Sequence, residues 1–245
     1  MPGIGNPWSI ERFDGLFYVT PPPHNRPACS LVFVQSADGN TGADDPAVLG
    51  GGNTDKHLIY EGLSRVACDA VLVGAKTADE GRIVFSVWHP EMVRLRQELG
   101  LARHPVQIVA SMHGMNLEDA LLFNVPDVPV VLLTSAGAAR RMAPSMRARP
   151  WMCAIAMNGH DDLRAAFAQL RQTNIARMSC VGGRSLARAL LDAALVDDVY
   201  LTTGARPGGE PATPLHVRPW RGPVILRKRG TGAERGVIFE HVRPA

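Results

Sequence analysis

Apolar residues in this chain fall into short unbroken runs, and the stretches between the runs carry apolar side chains at helical spacing. Residues 31–34, 70–73, 106–110, 128–133, 152–157, 178–181 and 198–203 read as strands. The run at 70–73 is apolar at every position, which predicts a strand covered on both faces. Helices are expected over about 54–67 (Leu58, Ile59, Leu63 and Val66 inward), 90–100 between Pro90 and Gly100, and 136–142. Two more are expected from Asp161 or Asp162 to about 173 (Leu163, Ala166, Phe167 and Leu170 inward) and from residue 184, where Leu186, Ala187, Leu190, Leu191 and Ala194 share one face. Residues 224–228 and 237–241 flank Gly230-Thr231-Gly232 and predict a terminal hairpin. Strands and helices that alternate in this way predict an α/β fold: a mainly parallel central sheet with helices on both faces, closed by a C-terminal antiparallel hairpin. Residues 1–26, rich in proline and glycine, read as an N-terminal arm in which 16–19 forms an edge strand. Residues 27–245 read as a single domain without internal repeats.

Ligands of such sheets bind beyond the carboxyl ends of the strands. Four predicted strand ends carry small or polar residues: Ser36 to Asp38, Gly74 to Thr77, Ser111, and Gly182 to Ser185. The last is the most informative, because a strand there runs through Gly182 and Gly183 straight into a helix. The first amides of a helix lack internal partners, the dipole adds positive potential, and glycine lets a phosphate approach the backbone. Arg184 falls in the first helical turn, where a cation opposes the dipole at a cost of about 0.3–1 kcal/mol unless an anion sits beside it. Two readings stand at this point, a phosphate site and a plain tight turn with Arg184 in water. The three spaced glycines of the dinucleotide fingerprint are absent.

Composition narrows the partners. Of the 245 residues, 46% are hydrophobic and 20% charged, the balance of a soluble globular protein with ample core. The net charge of +3 comes from scattered arginines with no basic stripe, so nucleic acid is not expected and a small anionic ligand suits as well. The four cysteines lie far apart, without the spacing of a zinc site. Cys29, Cys153 and Cys180 fall in or beside apolar strands, where a free thiol acts as a small buried hydrophobe. The N-terminus lacks the pattern of a signal peptide and no apolar run approaches a membrane span, so a cytoplasmic protein is expected.

The motifs Ser36-Ala37-Asp38-Gly39, Asp69-Ala70-Val71-Leu72-Val73-Gly74-Ala75-Lys76-Thr77, Gly182-Gly183-Arg184-Ser185-Leu186 and Leu190-Leu191-Asp192-Ala193-Ala194-Leu195-Val196-Asp197 occur here in one order. Together they resemble the reductase domain of the bifunctional riboflavin-biosynthesis deaminase and reductase and its stand-alone relatives, which share the dihydrofolate-reductase-like fold. The resemblance runs from about residue 27 to the C-terminus. It implies an NADPH-dependent reductase that moves a hydride to C1′ of the ribosylamino group of a pyrimidine 5′-phosphate, with a pterin or another heterocycle as an alternative substrate. Cofactor contacts implied are Gly74, Ala75, Thr77, Ser111, Gly182, Gly183, Arg184, Ser185, Leu186 and Ala187, with Gly183 to Ala187 at the pyrophosphate. Lys76 or a nearby arginine could meet a 2′-phosphate. Ser36, Asp38 and Val181 would face the substrate. Asp38 is the motif carboxylate that could supply a proton, and capping its own turn is the other role open to it. A homodimer is implied as well.

Three positions depart from the family pattern. Val181 stands where the family commonly has a glutamate, Val32 where a lysine often lies, and Ala78-Asp79-Glu80-Gly81-Arg82 where an Ala-Asp-Asp-Pro segment usually follows. A valine cannot hydrogen-bond a pyrimidine edge, which would forfeit about 1.5–3 kcal/mol if nothing replaces it. A reductase with a changed substrate and a non-catalytic NADPH-binding homologue both follow from this. No deaminase-like zinc motif is present.

Overall fold

In the computed structural model, which describes residues 20–79, 84–88 and 90–245, nine strands form one sheet. They are β1 (Ala28–Gln35), β2 (Ala70–Gly74), β3 (Val106–Ser111), β4 (Val130–Ser135), β5 (Met152–Met157), β6 (Arg177–Gly182), β7 (Asp198–Thr203), β8 (Arg221–Arg229) and β9 (Ile238–Pro244). Their order is β5-β4-β3-β2-β6-β1-β7-β9-β8. Neighbours from β5 to β7 are parallel, whereas β9 runs antiparallel to both β7 and β8, so the expected mainly parallel sheet and terminal hairpin both hold. The edge strand expected at 16–19 lies outside the described residues.

Six helices cover the sheet: α1 (Thr54–Val66), α2 (Ala75–Asp79), α3 (Pro90–Glu98), α4 (Ala136–Arg147), α5 (Leu163–Gln172) and α6 (Arg184–Asp192). Leu163, Phe167 and Leu170 of α5 and Leu186, Ala187 and Leu190 of α6 pack on one face against Leu31, Leu72 and Ile108. Helices α4 and α1 cover the other face, against Val71, Val73 and Val109 and against Val32 and Tyr200. The side chains of β2 are therefore buried throughout, as its unbroken apolar run predicts.

Two expectations need correction. Helix α4 does not stop at residue 142 but runs on to Arg147 with Pro144 inside it. Met142 is buried and Met146 packs on the same core, and that burial outweighs the amide lost at proline. Cys153 is exposed, not buried, because it lies on β5 at the edge of the sheet, whereas Cys29, Cys68 and Cys180 are buried.

Helix α1 is held at both ends by distant residues. At its start Glu234, from the β8–β9 connection, accepts hydrogen bonds from the Thr54 amide (2.7 Å) and the Thr54 hydroxyl (2.5 Å). At its end Arg96 of α3, fully buried, donates to the carbonyls of Arg65, Val66 and Cys68 at 2.8, 3.2 and 2.7 Å, and to Ala102. Burial pushes the Arg96 guanidinium down to about 10, and the carbonyl oxygens take the place of a counter-ion. Between these anchors the helix is wound wide, with i→i+5 hydrogen bonds.

Candidate functional site

A cleft of about 1220 Å³ opens at the carboxyl ends of β1, β2, β3 and β6, between α1 and the start of α6. Its size lies above the usual range for one small ligand, leaving room for two.

Glycines make its floor. A Cβ on Gly182 would come within 2.8 Å of Thr77, and one on Gly183 within 3.2 Å of the Gly74 Cα. Gly183 also has φ +87, a conformation that side-chain-bearing residues rarely adopt. The end of β2 and the β6–α6 turn thus meet backbone to backbone, a reason for the glycines that lies in packing rather than in a ligand. The anion question then rests on Arg184. Its Nη1 is buried and has no hydrogen-bond partner, and its Nη2 lies 4.0 Å from the largely exposed Glu210. Gly183, at the helix N-cap, offers no side chain to the free amides. An unpartnered guanidinium nitrogen beside a helix N-terminus is electrostatically unfinished, and an anion would complete it.

The structure brings Gly74, Ala75, Thr77, Ser111, Val181, Gly182, Gly183, Arg184, Ser185 and Leu186 onto the cleft wall. Ala187 is fully buried behind them in the core. Ser111 is turned by a 2.8 Å hydrogen bond from its hydroxyl to the Gly114 carbonyl. Lys76 lies at the rim, largely exposed, 3.8 Å from Asp44.

Ser36 and Asp38 are not on this wall. The Ser36 hydroxyl donates to Asp38, whose carboxylate also accepts from Asn40 Nδ2 (3.0 Å) and the Gly208 amide (3.3 Å). The bond from Ser36 holds the Asp38 carboxyl below its ordinary range. A carboxylate with this geometry stays ionised and ties the turn after β1 to the loop after β7, so of the two roles read from the sequence the structure favours the cap.

On the α1 side of the cleft the sequence points to Val32 and Val181 but not to Val34, Tyr60, Phe85 or Asp55. Val32 and Val34 of β1, Tyr60 of α1, Phe85 and Val181 supply apolar wall, with the Tyr60 and Phe85 rings edge to face at 6.4 Å. Asp55 lies among the same lining residues. Its Oδ1 is shut off from solvent and has no hydrogen-bond partner. Burial raises its carboxyl from an ordinary 3.8 to about 6; the Thr202 hydroxyl pulls it partly back, and the Glu234 charge pushes it up. An acid in the first turn of a helix normally faces water, so the local sequence around Asp55 carries no signal of this environment.

Among the described residues, no group of three or more His, Cys, Asp or Glu is placed to hold a metal ion, and no helix is long and apolar enough to cross a membrane.

Residues 27–216 match the model of the RibD C-terminal domain. The chain belongs to that family. No curated protein matches the sequence. Among solved structures it is similar to a pyrimidine reductase-like protein of Corynebacterium diphtheriae, at 20% identity and a TM-score of 0.69 over 90% of this chain and 93% of the other. It is similar to the riboflavin biosynthesis reductase Rib7 of Saccharomyces cerevisiae at 16% identity and a TM-score of 0.61, over 98% and 99%. A third likeness is to the diaminohydroxyphosphoribosylaminopyrimidine deaminase/5-amino-6-(5-phosphoribosylamino)uracil reductase of Thermotoga maritima, at 18% identity and a TM-score of 0.65. There the match covers 90% of this chain and 57% of the longer protein. At these identities the likenesses establish the fold.

Proposed function

We propose that this RibD C-terminal domain is a reductase that binds NADPH in the cleft and reduces a pyrimidine- or pterin-type heterocycle, most like a 5-amino-6-(5-phosphoribosylamino)uracil reductase. The observation that carries the reading is the buried, unpartnered Nη1 of Arg184 at the N-terminus of α6, on the wall of a cleft with room for cofactor and substrate. The residues present fit a dinucleotide phosphate. Arg184 and the free amides of α6 would hold the diphosphate, with Thr77 and Ser111 as further cofactor contacts and Lys76 toward a 2′-phosphate. Bound there, NADPH would supply the hydride.

The chain's own residues would position the substrate and exclude water. The wall formed by Val32, Val34, Tyr60, Phe85 and Val181 is apolar and suits the face of a heterocycle. Val32 and Val181 both lie on it, so the charged pair common in the family is absent from the pocket as well as from the sequence, and Asp55 and Lys56 of α1 are the ionisable groups on that side. Such a pocket favours a substrate different from that of the riboflavin enzymes.

The test is NADPH oxidation by the purified protein, followed by absorbance, with the phosphoribosylaminopyrimidine and with dihydropterins offered separately. Turnover of any of these supports the reductase. Tight NADPH binding without turnover of any of them favours the second reading, a non-catalytic NADPH-binding homologue, for which the two valines speak.

A further inference from the structure

The turn that carries Ser36 and Asp38 fixes a residue at the cleft. The loop after β7 is laced to this turn: Asp38 accepts from the Gly208 amide, Asn40 Nδ2 donates to the Gly208 carbonyl at 3.2 Å, and Asn40 Oδ1 accepts from the Thr213 amide at 3.2 Å. Between these ties lies Glu210. Its amide donates to the Gly42 carbonyl at 2.7 Å. Its carbonyl accepts at 2.6 Å from the Thr213 hydroxyl, which itself accepts from the Gly42 amide at 2.9 Å. Gly42 also seats the side chain, since a Cβ there would come within 2.6 Å of Glu210 Oε2.

The carboxylate held in this way lies on the cleft wall, largely exposed, 4.0 Å from Arg184 Nη2 and so beyond hydrogen-bonding reach of it. Among the described residues the other carboxylates on the wall are differently engaged. Asp45 accepts from the Ala47 amide, Asp44 lies 3.8 Å from Lys76, and Asp55 has an oxygen shut off from solvent. A carboxylate accepts hydrogen bonds and donates none. Beside a guanidinium that holds a diphosphate it therefore repels a bare anion and attracts a hydroxyl. A ligand offsets that repulsion only if it carries donors next to its phosphates, and in a nucleoside diphosphate those donors are on the sugar.

We infer that Glu210 is a specificity-determining residue of the cofactor site, accepting hydrogen bonds from the two hydroxyls of the nicotinamide ribose and turning away anions that lack such a sugar. The inference rests on the NADPH reading. The strand order gives the direction of the cofactor. Thr77, Lys76 and Ser111 follow β2 and β3 on one side of β6, and Gly42 and Glu210 follow β1 and β7 on the other. With the 2′-phosphate toward Lys76, the adenosine half extends over β2 and β3. The nicotinamide half then extends over β1, toward Glu210. Its ribose is the one with both hydroxyls free, and a vicinal pair of donors matches the two oxygens of a carboxylate.

The experiment measures the affinity of wild type, Glu210→Gln and Gly42→Ala for NADPH and for dimethyl diphosphate with one methyl ester on each phosphate, at fixed ionic strength, with circular dichroism to check the fold. The second ligand has the diphosphate charges of the dinucleotide and no sugar, so the repulsion common to both cancels in the ratio of their affinities. In Glu210→Gln the dimethyl diphosphate should bind about 3–10-fold tighter, and the preference for NADPH over it should shrink about tenfold or more. Gly42→Ala pushes the carboxylate off its seat without removing the charge, and it should shrink that preference as well. The inference is overturned if Glu210→Gln keeps the wild-type preference, because the carboxylate then touches no sugar. It is overturned equally if dimethyl diphosphate does not tighten, because Glu210 then does not face the anion. A wild type that binds NADPH while either of these holds sinks the inference alone. A wild type that does not bind NADPH sinks the reductase reading itself, and the inference with it.

Discussion

Replacing Asp55 with asparagine should make the protein more stable near neutral pH, because the wild type carries a carboxyl whose ionised form is penalised by burial. In the folded chain it titrates at about 6, against an ordinary 3.8. A folded value above the unfolded one means that the stability from this group is complete below 3.8 and is lost as the pH rises to and through 6. Between those values, at about 1.4 kcal/mol per pH unit, ionisation costs about 3 kcal/mol. The residue is only partly shielded, which trims the expected cost to about 1–3 kcal/mol. Asparagine keeps the shape and removes the charge. Urea denaturation of both proteins across the acid-to-neutral range should therefore show the asparagine variant gaining on the wild type as the pH rises, reaching about 1–3 kcal/mol above pH 7 and shrinking toward pH 4. A variant less stable than wild type at neutral pH, or a difference that does not change with pH, would refute the reasoning that Asp55 is held in an unfavourable environment.

Arg96→Met should cost about 2–4 kcal/mol in denaturant titration, since it strips the donor from the carbonyls of Arg65, Val66 and Cys68 at the end of α1. Stability unchanged within experimental error would remove Arg96 as the anchor of that helix. Gly183→Ala should destabilise by about 1–3 kcal/mol and weaken NADPH binding, because it meets both φ +87 and the Gly74 backbone at 3.2 Å. Cys153 should react with a thiol reagent in the native protein, whereas Cys68 and Cys180, buried and pushed up to about 12, should react only on unfolding. Equal labelling of all three in the native state would contradict the packing of the sheet.

Much of the architecture is legible in the linear pattern because each element carries its own periodicity. The unbroken run of β2 announces a strand buried on both faces, and the alternation of runs and helical stretches announces the parallel sheet. The order of the strands is not written locally: β6 inserts between β1 and β2, a choice made by packing across the whole core. The strand-to-helix break at Gly182 and Gly183 is visible, but its cause is not, since it depends on Gly74 and Thr77 meeting it from another strand. The same limit hides Asp55 and Arg96. Each is a charged residue in a helix with polar neighbours, a setting that reads as solvent-facing. Asp55 is enclosed by Gly51 and by Thr202 of β7, and Arg96 by Ala102 and the end of α1; Thr202 and the α1 terminus are distant in sequence, so the local pattern does not show them. Asp38 shows the reverse case, in which the turn chemistry of Ser36 to Asn40 is local and its capping role can be read directly.

The most direct test of the account is a calorimetric titration of the wild type and Arg184→Gln with NADPH and with NADH. The wild type should bind NADPH with a Kd of about a micromolar or tighter, and NADH more weakly. Loss of the charge-assisted contact should weaken NADPH about 10–100-fold in the variant, with the fold intact by circular dichroism. If neither nucleotide binds the wild type, or if the variant binds NADPH as tightly as the wild type does, the start of α6 is a structural turn and the cleft serves some other ligand.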